Sequence, residues 1–413
     1  MKKALVGVIA IAGIMALAAS SAMAAGKKAD SGKPPNILLI MADDLGFEGL
    51  GCYGGTSYAT PNLDELAREG LKFTNCHSTP KCSPSRVTIM TGRYTFRTTT
   101  KWGHIPDNEI TFGSVLAAAG YKTALAGKWQ MALLKKNPKH VAQRGFEESA
   151  VWAWHEGPRY WKPMIYRNDK IMDGISGRYG SDVFTEFLAE FMKSNKDKPF
   201  LAYYPMCLTH FPKRNEPKGP NGKWETFREM VEKMDNKIGE LVAALDQAGL
   251  RETTLVLFTT DNGSPTNVES RLGDKVIKGG KASLKDAGTH VPLIANWPGT
   301  TPAGAVCEDL IDFSDFMPTL AELANGKLPE VKIDGTSFAP QLRGKKGTPR
   351  EWIYTEWSGE SWARTKRWKL YRDGRLYDMT NDPQEKAPVA ETAASKEIRS
   401  ELQSVLNELK KEK

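Results

Sequence analysis

The 413-residue sequence contains only five cysteines, and their spacing is not that of a metal-binding cluster. Beyond residue 24, no stretch is apolar enough to cross a bilayer, and no basic run is interleaved with aromatic residues in the manner of nucleic-acid-binding segments. There is also no internal repeat and no low-complexity segment. We therefore expect neither a nucleic-acid partner nor stable membrane insertion.

The first 24 residues have the organisation of a secretory signal peptide. The basic start MKK precedes the apolar run ALVGVIAIAGIMALAA and then SSAMA, in which Ala24 ends a cleavage site. A membrane anchor is the alternative, but the run is short for a span and the small polar stretch after it favours cleavage. Residues 25–35, AGKKADSGKPP, read as a polar linker. The pattern predicts an exported protein, periplasmic or extracellular.

Apolar runs alternate with amphipathic segments along the rest of the chain. Residues 36–42 (NILLIMA) and 254–260 (TLVLFTT) are continuous apolar or β-branched runs, which predicts buried strands. A helix is predicted over residues 60–70, with Thr60 as its cap and Pro61 at its first position. This alternation is typical of a largely parallel sheet covered by helices.

The composition, 40% hydrophobic and 26% charged, is that of a globular protein. From about residue 348 the pattern changes to short strands and a closing helix. We predict an α/β fold: a large mixed, mostly parallel sheet sandwiched by helices in residues 36–347, and a small C-terminal antiparallel-sheet subdomain in residues 348–413. Residues 36–347 form the predicted catalytic domain.

The stretch KCSPSRVTIMTGR, residues 81–93, concentrates reactive and conformationally special residues. Pro84 suits the first turn of a helix, and Gly92 can end that helix. Cys82 then lies just ahead of the helix N-terminus, where backbone N–H groups favour an anion and acidify a thiol. A buried, inert cysteine is the alternative.

Polar residues follow several predicted strands at their carboxyl ends, which is where open α/β sheets place their sites. Asp43 and Asp44 follow one strand, Asp261 and Asn262 follow another, and His210 comes after a third. Carboxylates that face one another repel and need a cation, and oxygen ligands select calcium or magnesium. The alternative is that each pair caps a turn or a helix.

Cys82-Ser83-Pro84-Ser85-Arg86, together with the later Thr91-Gly92-Arg93, resembles the signature of the type I sulfatases of the alkaline phosphatase superfamily. The resemblance implies that a maturation enzyme oxidises Cys82 to formylglycine, whose hydrated aldehyde is the nucleophile. It also implies a bound Ca2+, less favourably Mg2+, with the ligands Asp43, Asp44, Cys82, Asp261 and Asn262. With Cys82 modified, four cysteines remain, which allows two disulfides or four free thiols.

Further motifs extend the resemblance from about residue 35 to about residue 385. Ala126-Gly127-Lys128-Trp129 is similar to the family's G-K-W motif, Thr209-His210-Phe211-Pro212 to T-H-x-P, and Gly280-Lys281 to its lysine motif. By this resemblance, Lys128 and Lys281 contact sulfate, His210 contacts the leaving-group oxygen, and Arg86 holds the hydrate. The alternatives are a solvated surface lysine and a structural histidine.

Two positions depart from the family pattern. Gln130 stands where the family commonly has a histidine that helps to deprotonate the hydrate, and glutamine cannot take up a proton near neutrality. The family's E-G-G-x-R reads DAGTH here, so His290 is a candidate for part of the acid–base work and for substrate contact.

The resemblance implies a sulfuric ester hydrolase acting on a sulfated small molecule or glycan, most plausibly a carbohydrate. One alternative is a phosphodiester or phosphonate monoester hydrolase of the same superfamily. The other is a catalytically silent, glycan-binding homologue. Aromatic residues in Trp152-Ala153-Trp154-His155 and Tyr160-Trp161 are candidates for stacking on sugar rings, or equally for the core.

Overall fold

The computed structural model describes residues 33–99 and 101–413. The predicted signal peptide, residues 1–24, lies outside the described residues, as does most of the predicted linker. Within the described ranges, sixteen strands are found: β1 Asn36–Ala42, β2 Leu71–His77, β3 Lys122–Trp129, β4 Glu148–Ala153, β5 Tyr166–Arg167, β6 Lys170–Ile171, β7 Phe200–Pro205, β8 Thr254–Thr260, β9 Glu269–Leu272, β10 Lys275–Lys278, β11 His290–Asn296, β12 Ala305–Asp312, β13 Ile353–Trp357, β14 Glu360–Arg364, β15 Trp368–Tyr371 and β16 Leu376–Asp378.

The α-helices of the same ranges include four long ones and several single turns. They are α1 Pro61–Arg68, α2 Cys82–Thr91, α3 Thr95–Thr98, α4 Phe112–Ala118, α5 His140–Gln143, α6 Gly180–Ser194, α7 Phe227–Gln247, α8 Asp286–Thr289, α9 Phe316–Leu323, α10 Ala339–Leu342 and α11 Ala393–Lys411. The predicted stripe of α7 is core packing, since Met230, Met234, Ile238, Leu241 and Leu245 are all fully buried.

Ten strands form one mixed sheet in the order β12-β2-β11-β8-β1-β7-β3-β4-β5-β6. The five central strands from β8 to β4 are parallel, while β11 is antiparallel to both of its neighbours. Two hydrophobic clusters flank this sheet, one on each face, because alternate residues of β1 point to opposite sides. Leu39 packs in one cluster and Leu38 in the other. The predicted α/β fold is confirmed.

The C-terminal strands form a separate four-stranded antiparallel sheet in the order β13-β14-β15-β16, against which α11 packs. One carbonyl group outside this sheet accepts hydrogen bonds from three of its side chains. The Leu284 carbonyl accepts hydrogen bonds from Trp362 Nε1 at 2.8 Å, Lys369 Nζ at 2.6 Å and the Tyr371 hydroxyl at 3.1 Å. Where the domain boundary falls, at residue 347 or elsewhere, stays a prediction.

The start of helix α1 differs from the expectation. Pro61 occupies the first helical position, but the Thr60 side chain makes no capping bond. Its hydroxyl accepts from the Gly51 N–H at 3.0 Å instead. The cap comes from α7: the buried Asp235 carboxylate accepts from the backbone N–H groups of Asn62 at 3.0 Å and Leu63 at 2.9 Å. A residue distant in sequence therefore replaces the local cap.

We predict that Asp235→Ala lowers the free energy of unfolding by about 3 kcal/mol, because two buried N–H donors lose a charged acceptor. Chemical denaturation monitored by circular dichroism measures this. Asp246→Ala, at an exposed position of the same helix, is the matched control and should change stability by less than about 0.5 kcal/mol. Equal stability of the Asp235→Ala variant and the unmutated protein would show that α1 does not need this cap.

Candidate active site

The central parallel strands bring the predicted site residues to one edge of the sheet. Asp43 and Asp44 follow β1, Asp261 and Asn262 follow β8, and the last residues of these strands, Ala42 and Thr260, pair directly. Parallel neighbours end at the same edge, so the two polar pairs meet although they are over two hundred residues apart in sequence. Lys128 lies near the end of β3, and His210 lies five residues beyond β7.

Adjacent residues in a strand point to opposite faces, so Asp43 and Asp44 can converge only where the strand has ended. Asp44 has a φ of +64°, in the left-handed region that is sparsely populated by residues other than glycine. This backbone turn lets both carboxylates contact the same group of side chains. A non-glycine residue held in this region is characteristic of a functional site.

Asp43 and Asp261 are each paired with a buried cation. Arg86 donates to Asp261 Oδ2 from Nε at 3.0 Å and from Nη2 at 2.7 Å, while Asp261 Oδ1 accepts from the Asp44 N–H at 3.1 Å. Lys128 Nζ donates to Asp43 Oδ2 at 2.6 Å. All four side chains are almost completely buried, so each charge requires its partner.

Asp44 joins the remaining predicted residues. Asn262 Nδ2 donates to Asp44 Oδ1 at 2.9 Å, and Lys281 Nζ makes a short hydrogen bond to Asp44 Oδ2. His210 Nε2 lies 3.8 Å from the same Oδ2 atom. The structure thus brings together nine of the ten predicted site residues, all except His290: Asp43, Asp44, Cys82, Arg86, Lys128, His210, Asp261, Asn262 and Lys281.

Two buried oxygens of this cluster have no hydrogen-bond partner: Asp43 Oδ1 and Asn262 Oδ1. One ligand atom from each of Asp43, Cys82 and Asp261 lies within 4.8 Å of the other two. Buried oxygens without partners are unfavourable, and carboxylate and amide oxygens are the ligands that hard divalent cations prefer. The residues present therefore fit the predicted calcium site.

Cys82 is the first residue of α2, whereas the prediction placed it just ahead of the helix, and Gly92 ends the helix as predicted, with a φ of +70°. All ten residues of α2 are buried. The expected acidification of the thiol is not found. Burial, together with the nearby Asp43 and Asp261 carboxylates, raises the pKa of Cys82, although Lys128 opposes them. Desolvation is the largest of these influences.

Charged side chains lie close together in this site and shift the pKa values of two of its carboxyl groups. Burial and the Asp43 carboxylate raise the pKa of Asp261 to about 7, against the influence of Arg86. Burial opposes ionisation of Asp43 as well, but Lys128 and Arg86 hold the pKa of that carboxyl well below its usual range. The two carboxylates compete for the same positive charges, and a bound cation would relieve that competition.

His210 is held as a neutral imidazole. Burial lowers its pKa to about 4, although Asp44 and Asp43 oppose this shift. The ring Nδ1 lies 2.8 Å from the Phe211 carbonyl oxygen, which can only accept, so Nδ1 carries the proton. The unprotonated Nε2 faces Asp44.

Gln130, the residue that replaces the family's histidine, follows the end of β3 two residues after Lys128. Its side chain is buried, and its Oε1 has no hydrogen-bond partner among the described residues. It can accept a hydrogen bond there but cannot hold a proton.

His290 is not brought to this cluster. Its Nδ1 lies 3.0 Å from Asp286 Oδ2, and its Nε2 lies 2.9 Å from the Thr74 carbonyl oxygen. Arg364 donates to the other oxygen of Asp286 at 2.7 Å. Because both ring nitrogens are engaged, the placement of His290 does not support its predicted contact with substrate.

Two supporting residues were not recognised from the sequence. The Ser264 hydroxyl accepts from the Gly46 N–H at 3.0 Å and donates to the buried Glu48 carboxylate at 2.7 Å. These bonds tie the loop after Asp44 to the loop after Asn262. In the sequence, Ser264 stands out only as a polar residue two positions beyond Asn262. Polar residues at such positions are too common to indicate a role.

Comparison with known proteins now identifies the family. The family model described as Sulfatase matches residues 35–326, and a second model, N-sulphoglucosamine sulphohydrolase, C-terminal, matches residues 280–412. The chain belongs to the sulfatase family. It is a type I sulfatase of the alkaline phosphatase superfamily, and its enzyme class is that of the sulfuric ester hydrolases.

Individual relatives agree with this assignment. Arylsulfatase A of Homo sapiens is 32% identical over 85% of this chain and 78% of its own length. N-acetylgalactosamine-6-O-sulfatase of Bacteroides thetaiotaomicron is 28% identical over 92% of this chain and 94% of its own length. A crystal structure of Ps i-CgsB in complex with k-i-k-neocarrahexaose superposes with a TM-score of 0.78 and 26% identity, covering 92% of both chains.

Two further observations on the sulfatase concern its cysteines and the length and apolarity of its helices. All five cysteines are free thiols in the structure, so of the two possibilities left open, two disulfides or free thiols, the second is found. None of the helices in residues 33–99 and 101–413 combines the length and apolarity that a bilayer crossing requires.

We predict that Ca2+ at about one hundred times its Kd raises the free energy of unfolding by about 3 kcal/mol, because only the folded site assembles the oxygen ligands. Calorimetry before and after treatment with EDTA measures this shift. Asp43→Asn and Asp261→Asn should each abolish most of it. Asp312→Asn, at a buried carboxylate outside the site, should keep it. A calcium shift that survives in both site variants would place the ion elsewhere.

Proposed function

We propose that the protein is an exported sulfatase that hydrolyses carbohydrate sulfate esters with a formylglycine made from Cys82 and a bound calcium ion. The observation that carries this proposal is the convergence of Cys82, three carboxylates and three basic side chains in one buried cluster. The positive charges suit a sulfate ester, and the carboxylates suit a cation.

Asp43, Asp44, Asp261, Asn262 and residue 82 would hold the calcium ion. When bound, calcium supplies positive charge that lowers the pKa of a ligated hydroxyl and polarises the sulfate oxygens. Formylglycine, generated by a maturation enzyme, supplies a hydrated aldehyde in place of a thiol. Arg86, which holds Asp261 through two nitrogens, fixes the carboxylate next to residue 82 and supplies a further positive charge there.

Lys128 and Lys281 are proposed to bind the sulfate group. Both ammonium groups lie in the cluster, and each is now paired with one carboxylate, Asp43 for Lys128 and Asp44 for Lys281. An ammonium has three donors, so each lysine can keep its carboxylate and still donate to a sulfate oxygen. Preorganised donors of this kind stabilise the charge that develops on sulfate oxygens in the transition state.

His210 is proposed to act at the leaving-group oxygen. An ester oxygen can only accept, so His210 must present a protonated Nε2 to it while Nδ1 continues to donate to the Phe211 carbonyl. A sulfate ester brings a negative charge beside the ring and thereby favours this doubly protonated form. His210 can then give the Nε2 proton to the departing alcohol.

The substrate class rests on relatives and on export. The Bacteroides relative is named N-acetylgalactosamine-6-O-sulfatase, and Ps i-CgsB was crystallised in complex with k-i-k-neocarrahexaose. The predicted signal peptide directs the enzyme to the periplasm or beyond, where such glycans are met. The sulfated carbohydrate is therefore the proposed substrate.

We expect Cys82→Ala to reduce turnover of an aryl sulfate by about a millionfold, or to background, because the nucleophile is lost. The protein is produced in a host with a maturation enzyme, and the mass of the Cys82 peptide is measured first to establish conversion to formylglycine. Cys307→Ala, at a half-buried thiol outside the cluster, is the matched control and should keep its activity.

Near-normal turnover by the Cys82→Ala variant would rule out residue 82 as the nucleophile. An aryl phosphodiester is assayed beside the aryl sulfate on the same preparation. A faster reaction with the phosphodiester would replace the proposed function by the alternative hydrolase of the superfamily.

A further inference from the structure

Three tryptophans from distant parts of the chain meet beside the helix that carries Cys82. The Trp102 ring is 6.5 Å from the Trp154 ring and 6.2 Å from the Trp357 ring, measured between centroids, and it meets both edge-on. Trp154 follows β4, and Trp357 ends β13 of the C-terminal sheet. We refer to Trp102, Trp154 and Trp357 as the tryptophan cluster.

The tryptophan cluster is anchored to the candidate active site by two contacts. The N–H of Gly103, next to Trp102, donates to the Ser83 hydroxyl at 2.9 Å, and Ser83 follows the nucleophile position directly. The Trp154 N–H donates to the carbonyl of Trp129 at 3.1 Å, one residue after Lys128. The cluster therefore lies against the two segments that carry Cys82 and Lys128.

Trp102 is exposed to solvent, and the backbone of Gly103 lies in close contact with the Trp154 ring. Trp102 is 38% exposed, which is unusual for so large an apolar side chain. A Cβ atom at Gly103 would lie 2.2 Å from the Trp154 ring, and the φ of Gly103 is +68°. Glycine at this position lets the loop that carries Trp102 lie directly on Trp154.

Positive charge lies beside the exposed aromatic surface. Lys81 Nζ is 5.8 Å from the centroid of the Trp102 ring. Beyond Trp154, the exposed His155 ring lies 4.0 Å away between centroids, and its Nδ1 accepts from Lys213 Nζ at 2.9 Å. Lys213 is three residues beyond His210, so the segment that carries His210 also carries this ammonium group.

The other aromatic residues proposed from the sequence differ from these. Trp152 and Tyr160 are almost fully buried and pack in the core. Trp161, like Trp154, is partly buried and packs against the same core, but its ring lies 5.1 Å from that of Tyr179, whereas the Trp154 ring meets Trp102. Of those candidates, Trp154 and His155 have a place at the surface beside the site.

We propose that the tryptophan cluster, with Lys81 and Lys213, binds the neighbouring sugar unit of an anionic oligosaccharide whose sulfated unit occupies the active site. This inference rests on the proposed function and specifies its substrate as an oligosaccharide rather than a free monosaccharide. The apolar face of a pyranose ring covers an exposed indole, and the two ammonium groups pair with sulfate or carboxylate groups of the chain.

The test compares substrates of two lengths. We measure kcat/KM for 4-methylumbelliferyl sulfate and for size-defined tetrasaccharides of chondroitin 6-sulfate, heparin and κ-carrageenan. The readout is the ratio of the best tetrasaccharide value to the aryl sulfate value. In Trp102→Ala this ratio should fall by about tenfold, the scale of one lost aromatic contact. Trp102→Phe, which retains an aromatic face, should restore much of the ratio.

Trp224→Ala is the matched control. Trp224 is also 38% exposed, and Lys218 Nζ lies 5.2 Å from the centroid of its ring. Its Nε1 donates to the backbone carbonyl of Glu216, which is not a residue of the tryptophan cluster. The control should leave the ratio unchanged. An equal fall in both variants, or no fall in Trp102→Ala, would overturn the proposal and leave the sulfatase assignment intact.

Binding separates this inference from the proposed function. Titration calorimetry with Cys82→Ala protein measures the affinity for the three tetrasaccharides without turnover, and Cys82→Ala/Trp102→Ala should bind the best of them about tenfold more weakly. If the unmutated enzyme released no sulfate from any probe, the proposed function would fail while this difference still tested the tryptophan cluster. Failure of all three tetrasaccharides to bind would overturn the inference.

Discussion

Three buried carboxylates in one small space are the constraint on which the rest of this structure depends. Asp43, Asp44 and Asp261 are almost inaccessible to solvent, and charges of one sign so close together repel strongly. The chain compensates with three cations, each delivered by a different segment: Arg86 from α2, Lys128 from β3 and Lys281 from the loop after β10. Removing any one of these would leave a buried charge unpaired, so fold and site stabilise each other.

The order of the strands brings these charged residues together, so that little unusual backbone geometry is needed around the site. Parallel strands β8, β1, β7 and β3 end at a common edge, so residues placed just past their ends converge without long loops. The exceptional local geometry is confined to a few positions. Asp44 adopts a left-handed backbone, and Gly127, with a φ of +121°, approaches the Pro205 carbonyl so closely that a Cβ would lie 2.1 Å from it. That close approach places Lys128 against β7.

Much of this arrangement was predictable, and the exceptions have a common cause. Continuous apolar runs identified β1 and β8, and motif resemblance pointed to residues that the structure, with the exception of His290, brings into one cluster. Strands β2, β4 and β12 were missed because polar residues interrupt or border their apolar residues, so that none of them has a long continuous apolar run. The Asp235 cap of α1 and the separate placement of His290 depend on contacts between residues far apart in sequence, which local patterns do not report.

The burial of Cys82 bears on whether a modification of this residue would come before or after folding. Cys82 is 4% exposed, and all ten residues of α2 are buried in the fold in which β1 and β8 pair across more than two hundred residues of chain. A sulfate group has to reach only the side chain of residue 82, whereas a modifying enzyme must also bind the residues around it, and these are buried in the finished fold. If Cys82 is oxidised as we propose, the oxidation therefore belongs to the interval between synthesis and closure of the sheet, and the speed of folding sets how long that interval lasts.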